Sequence, residues 1–319
     1  MTDLNLQLAT SATAGDLARV ASLLDLGANP RHSDSLPICR AACQGHADCV
    51  KLLISAAQAA AVGGSLGLEG ALALAASNGH VECVNLLIPV SSPKAFNSQA
   101  LREAAEHGHA ECVKLLIPVS NPTAGSSRAL REAAESGHAE CVKLLIPVSD
   151  PKAEDSCALR WAARNGHAEC VKLLIPVSDP RADDSKALVL AALTGQAECV
   201  RLLIPVSDPR ADDSKALVMA ATRGRAECVR VLAPASGALT GMEETLEHVI
   251  KAGQASILSI LFAHEPRLFE GMDLAAILEG CRADGQSEIA SLLRSIIEQQ
   301  DLSGYIAPLA GASHKPCRL

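Results

Sequence analysis

The chain has 319 residues and a formal net charge of −8, and it is 49% hydrophobic with only 2% aromatic residues. An acidic surface attracts neither nucleic acid nor an anionic membrane, so both are excluded as partners. A core almost without rings excludes the wide, aromatic-rich interior of a large globular enzyme and favours thin helices packed closely together.

Taken from the N-terminus, the opening "MTDLNLQLATSATAG" lacks the basic start and long apolar run of a secretory signal, which predicts a cytoplasmic protein. One frame then recurs along the chain. Gly15, Gly45, Gly79, Gly108, Gly137, Gly166, Gly195, Gly224, Gly253 and Gly285 each follow an aliphatic residue by seven positions. Those aliphatics are Leu8, Ile38, Leu72, Leu101, Leu130, Leu159, Leu188, Leu217, Leu246 and Leu278. The interval is 29 residues from Gly79 through Gly253 and slightly longer outside that run. The frame divides the chain into a first repeat at 1–34, a second repeat with a Gly/Ala-rich connection at 35–69, and a tandem array of 29-residue repeats at 70–234. Two degenerate repeats at 235–302 close the stack, and 303–319 is expected to be a flexible tail. The stretch 55–76 is long and weakly polar, but Gln58, Glu69 and four glycines make it a connection and not a membrane span.

Each repeat reads as two short helices. In the copy around Gly108, Leu101, Ala104 and Ala105 form a narrow apolar stripe on the first helix. Ser98 is the expected N-cap, and Gly108 supplies the left-handed residue that ends the helix. The second helix presents Cys112, Leu115 and Leu116 at helical spacing, and Pro118 then stops it. A two-helix unit of this size cannot bury enough surface alone, so the predicted fold is an all-α solenoid of about ten stacked helix-turn-helix repeats.

The segments "GDLARVASLLDLGANP" at 15–30 and "LPICRAACQGHADCVKLLI" at 36–54 resemble ankyrin repeats in their Gly-His turn, V-x-x-L-L second helix and Gly-Ala-Asn finger. The resemblance covers residues 4–298 and implies a module that binds another protein. The 29-residue copies are about four residues shorter than the usual period. The deletion falls where that family places its β-turn finger.

Cysteine and histidine recur with the frame and invite a reading as reactive sites. Cys49, Cys83, Cys112, Cys141, Cys170, Cys199 and Cys228 form one column on the second helices. Helices in contact lie roughly 8–10 Å apart, too far for a disulfide or a shared zinc between equivalent positions. The column is therefore expected to be apolar filler. His46, His80, His109, His138 and His167 share a turn position with Gln196 and Arg225, an interchange that suits a hydrogen-bond donor bracing the turn. The best metal candidate is Cys39-x3-Cys43-x2-His46-x2-Cys49, the basis of an alternative reading as a thiol- or zinc-dependent enzyme. Cys39 and Cys43 share an exposed face whereas Cys49 points inward, so no metal and no cofactor are expected. Motifs of nucleotide binding and hydrolase chemistry are absent from the sequence.

A binding face is sought on the first helices, at the residue after the framework aliphatic and the one four later. That pair reads Arg102/Glu106, Arg131/Glu135, Arg160/Arg164, Val189/Leu193 and Val218/Thr222. The first two are expected to satisfy themselves as opposite-charge pairs worth a few tenths of a kcal/mol. The switch from charge to aliphatic marks the candidate partner-binding residues Arg160, Trp161, Arg164, Val189, Leu190, Leu193, Val218 and Met219, on the concave side of the stack.

Overall fold

A computed structural model describes residues 3–59, 68–237, 242–269 and 272–310, with the backbone alone at 34–35 and 300–310. The chain divides into two units, Met1–Ala182 and Asp183–Leu319. The first contains α1 (Leu4–Ala14), α2 (Leu17–Asp25), α3 (His32–Gln44), α4 (Ala47–Ala59), α5 (Glu69–Ser77), α6 (Val81–Leu87), α7 (Ala95–Glu106), α8 (Ala110–Leu116), α9 (Ala124–Ser136), α10 (Ala139–Leu145), α11 (Ala153–Asn165) and α12 (Ala168–Leu174). The second contains α13 (Ala182–Thr194), α14 (Ala197–Leu203), α15 (Ala211–Thr222), α16 (Ala226–Ser236), α17 (Glu243–Lys251), α18 (Ala255–His264), α19 (Leu274–Ala283) and α20 (Ser287–Ala310). No strand occurs among the described residues.

Within the first unit, the first helices pack side by side in the order α1, α3, α5, α7, α9, α11, and each second helix lies against its own first helix and its neighbours. In the second unit α14, α16, α18 and α20 form the corresponding row of second helices. Each unit is thus an α-solenoid of helix pairs, as the repeat frame predicts. The framework aliphatics from Leu8 through Leu246 are buried, as are the Ala-Ala pairs beside them. Burying one such leucine stabilises by about 1.5–3 kcal/mol, and the small alanines let first helices approach closely.

Gly137 shows why the turn glycine recurs. Its φ of 83° is left-handed, and a Cβ placed on it would come within 2.4 Å of His167 Nδ1. The imidazole of one repeat thus packs on the glycine of the preceding repeat. The His46, His80, His109 and His167 Nε2–H groups donate across the same junctions to the carbonyls of Thr13, Cys43, Ser77 and Glu135, at 2.9–3.0 Å. The expected brace is present, and it joins neighbouring repeats.

One local expectation changes. Ser98 does not cap α7: with Phe96 and Asn97 it sits in a left-handed turn at φ 56°. Its buried Oγ accepts the Asn121 N–H of the next repeat at 2.8 Å. Ser127, Ser156 and Ser185 accept from Asp150, Asp179 and Asp208 in the same way, at 2.8–2.9 Å. Pro118 does not continue the second helix, as expected. The α-helix stops at Leu116, and Ile117–Val119 tighten into a 3₁₀ turn around the proline, whose missing N–H costs nothing there.

At the N-terminal end, Arg19 holds the position that Cys49 holds in the second repeat, and its Nη2 donates to Gln7 Oε1 at 2.9 Å. At the other end α20 continues through Ala310. The expected tail at 303–319 is therefore helical over 303–310, and 311–319 lie outside the described residues.

Candidate binding face

The candidate residues of the first unit stand on α11. Leu159 faces the core and turns Arg160, Trp161 and Arg164 toward the outer side of the helix. Trp161 is half-buried, and the Arg164 guanidinium carbon lies 4.8 Å from its ring centroid, a cation–π contact. Arg160 Nη2 donates to the Glu154 carbonyl at 2.8 Å. The two arginines are therefore directed to different partners.

The arginines of preceding repeats do not pair with the glutamate four residues on. Arg102 lies 3.5 Å from Glu132 of the next repeat, not beside Glu106, and Arg131 reaches Glu154 at 3.7 Å, not Glu135. Glu132 is only 8% exposed and also receives Arg128 Nε at 2.6 Å. Its depth explains why Arg102 crosses the junction: a carboxylate leaving water needs charged partners.

In the second unit, Leu190 and Leu193 on α13 and Val218 and Met219 on α15 are half-buried. Val189 is a correction: at 6% exposure it belongs to the core and offers no surface. The pairing rule placed it outward, but packing covers its position. Thr222, the counterpart of Leu193 on α15, turns its hydroxyl back to donate to the Val218 carbonyl at 2.9 Å.

The cysteine column is buried throughout. Burial, with a smaller contribution from the adjoining glutamate, pushes the Cys83, Cys112, Cys141 and Cys199 thiols up to about 11. Burial also raises Cys228 to about 11, opposed in part by Arg225. Thiols held protonated in this way are poor nucleophiles and poor metal ligands. The Cys39–Cys49 candidate does not assemble. Cys39 and Cys43 are half-buried, Cys49 is in the core, and His46 is committed to the Thr13 carbonyl. Among the described residues, the group of three donor side chains within 4.8 Å of one another is Glu103, Glu106 and His107 on the surface of α7. His107 Nδ1–H already donates there to the Glu103 carbonyl at 2.9 Å.

The serine ladder and the buried Glu132 escape a reading by helix face. Each depends on a partner 23 or more residues away. The repeat of Ser at 98, 127, 156, 185 and 214 is the signal that could have found the ladder.

Comparison with known proteins follows this geometry. The family model described as "Ankyrin repeats (3 copies)" matches residues 6–97, 72–155, 101–184 and 159–243. No curated protein matches the chain. Among solved structures, the crystal structure of the human ASB11 ankyrin repeat domain is similar at 22% identity, covering 58% of this chain and 96% of that one, with a TM-score of 0.44.

Proposed function

The chain belongs to the ankyrin-repeat family, whose repeats are generally protein–protein interaction modules, and on that premise we propose that it is a scaffold that binds a partner protein reversibly through its first helices. In the first unit the contact is made by Arg160, Trp161 and Arg164, and in the second by Leu190, Leu193, Val218 and Met219. Trp161 carries the reading. It is the one tryptophan of the chain, half-buried, and held under a guanidinium. Tryptophan and arginine are the side chains enriched among those that dominate binding energy.

The outer face of the second helices supports the same choice. There Glu111 and Lys114, Glu169 and Lys172, and Glu198 and Arg201 pair within their own helices at 2.6–3.2 Å. A face that satisfies its own charges has little to offer a partner. No disulfide forms among the eleven described cysteines, which suits a reducing compartment such as the cytoplasm. The scaffold needs no catalytic group.

Affinity capture with mass spectrometry identifies the partner, and calorimetry with the purified pair then measures the contact. Trp161→Ala and Leu193→Glu are each expected to weaken binding about tenfold or more, with unfolding midpoints unchanged. Undiminished affinity in both variants would reject this face.

A further inference from the structure

In the second unit, α17 and α19 enclose a cleft of about 330 Å³, at the small end of the roughly 300–1,000 Å³ typical of ligand pockets. Its origin can be read in the repeat frame. Four positions after the framework aliphatic, Ala76, Ala105, Ala134, Ala163, Ala192 and Ala221 are all buried. In the ninth repeat that position is Ile250, and in the tenth Ile277 stands one position before the framework Leu278, where the third to eighth repeats have alanine. Both isoleucines line the cleft. Gly280 lines it as well and contributes no side chain to fill it. A Cβ at Gly280 would meet nothing within 4 Å.

The lining has a definite chemistry. Ile250, Ile277 and the buried Cys281 supply apolar surface. Lys251 is taken by Glu247 at 3.1 Å, which leaves Asp284 as a carboxylate with no ion-pair partner among the described residues. Burial first, and Asp284 second, raise the Cys281 thiol, so the carboxylate and the apolar floor are neighbours. Gln286 pins the margin by donating its Nε2–H to the Lys251 carbonyl at 3.1 Å, and its Oε1 finds no donor. Acceptors are in surplus. An apolar hollow edged by one unmatched negative charge is complementary to a cation with a hydrocarbon body.

We propose that the α17/α19 cleft binds a small apolar amine, its hydrocarbon against Ile250, Ile277 and Cys281 and its ammonium at Asp284. The cleft uses none of the residues named for partner binding, and the proposal does not depend on that reading. Ligand-observed NMR titration of the full chain tests it, with phenethylamine as the probe and 3-phenylpropanoate as the matched acid. The amine is expected to bind saturably at millimolar concentration, while the acid does not. Asp284→Asn is expected to weaken the amine about fivefold, the loss of one partly exposed charge pair. Gly280→Leu adds apolar bulk at the lining, where a Cβ meets nothing within 4 Å, and is expected to abolish amine binding with the urea unfolding midpoint unchanged. Equal binding of amine and acid, no saturable amine binding, or amine binding unchanged in Gly280→Leu would each overturn the proposal.

Discussion

At the scale of single residues, the repeated glycine has two separable duties, a left-handed backbone and room for the neighbouring imidazole. Gly137 needs both, since the His167 ring lies where its Cβ would be. Gly253 needs only the first: its φ is 72° and a Cβ there would meet nothing within 4 Å. The left-handed conformation costs an L-residue about 1–2 kcal/mol. Gly253→Ala is expected to lose that much in urea unfolding, and Gly137→Ala clearly more because the ring must also move. Equal losses would show that the imidazole contact has no steric weight.

His138 gives the brace a pH dependence. Burial lowers its pKa foremost, its bond to the Glu106 backbone opposes that in part, and the His109, His107 and His167 imidazoles lower it further. A group with a depressed folded pKa is neutral in the native state, so the unfolded chain binds its proton first. Stability is therefore full above the unfolded value of about 6.5 and declines as pH falls from there toward the folded pKa. His138→Gln, which places at this turn the residue that position 196 already has, is expected to flatten that part of the stability profile. An unchanged profile in the variant would assign the acid response elsewhere.

At the scale of elements, the period, the two-helix repeat and the buried aliphatics were legible in the sequence, because each is a matter of spacing within one helix pair. What spacing could not show was bonding between pairs. Ser98 looked like a cap because it precedes Leu101 by a helical turn, yet its hydroxyl is used by Asn121. Arg102 looked matched to Glu106, yet a deeper carboxylate one repeat on draws it away. Val189 looked outward by the same count that correctly put Arg160 on the surface, and neighbouring packing decided otherwise. The serine ladder predicts a cost that has no counterpart in helix propensity. Ser156→Ala leaves the Asp179 N–H without its acceptor and is expected to destabilise by about 1–3 kcal/mol, read from the urea midpoint. A neutral substitution would mean that the left-handed turn holds itself.

At the scale of the whole molecule, stacked repeats draw stability from their interfaces with neighbours, so the chain behaves as a sum of local terms. Sulfur serves this sum as filler. The thiols of the second helices are buried, and in the folded chain they should resist alkylation at pH 8 while the half-buried Cys39 and Cys43 react. First helices, in contrast, vary from repeat to repeat: charge bound to charge on α7 and α9, an aromatic under an arginine on α11, aliphatics on α13 and α15. Variation laid over an invariant frame is what a binding scaffold requires, since fold alone does not choose a partner.

Site-specific photo-crosslinking to the captured partner tests this account most directly. A benzoylphenylalanine at position 161 or 193 is predicted to crosslink the partner, and one at position 143 or 172, on the outer face of the second helices, is not. Crosslinks confined to 143 and 172 would contradict it.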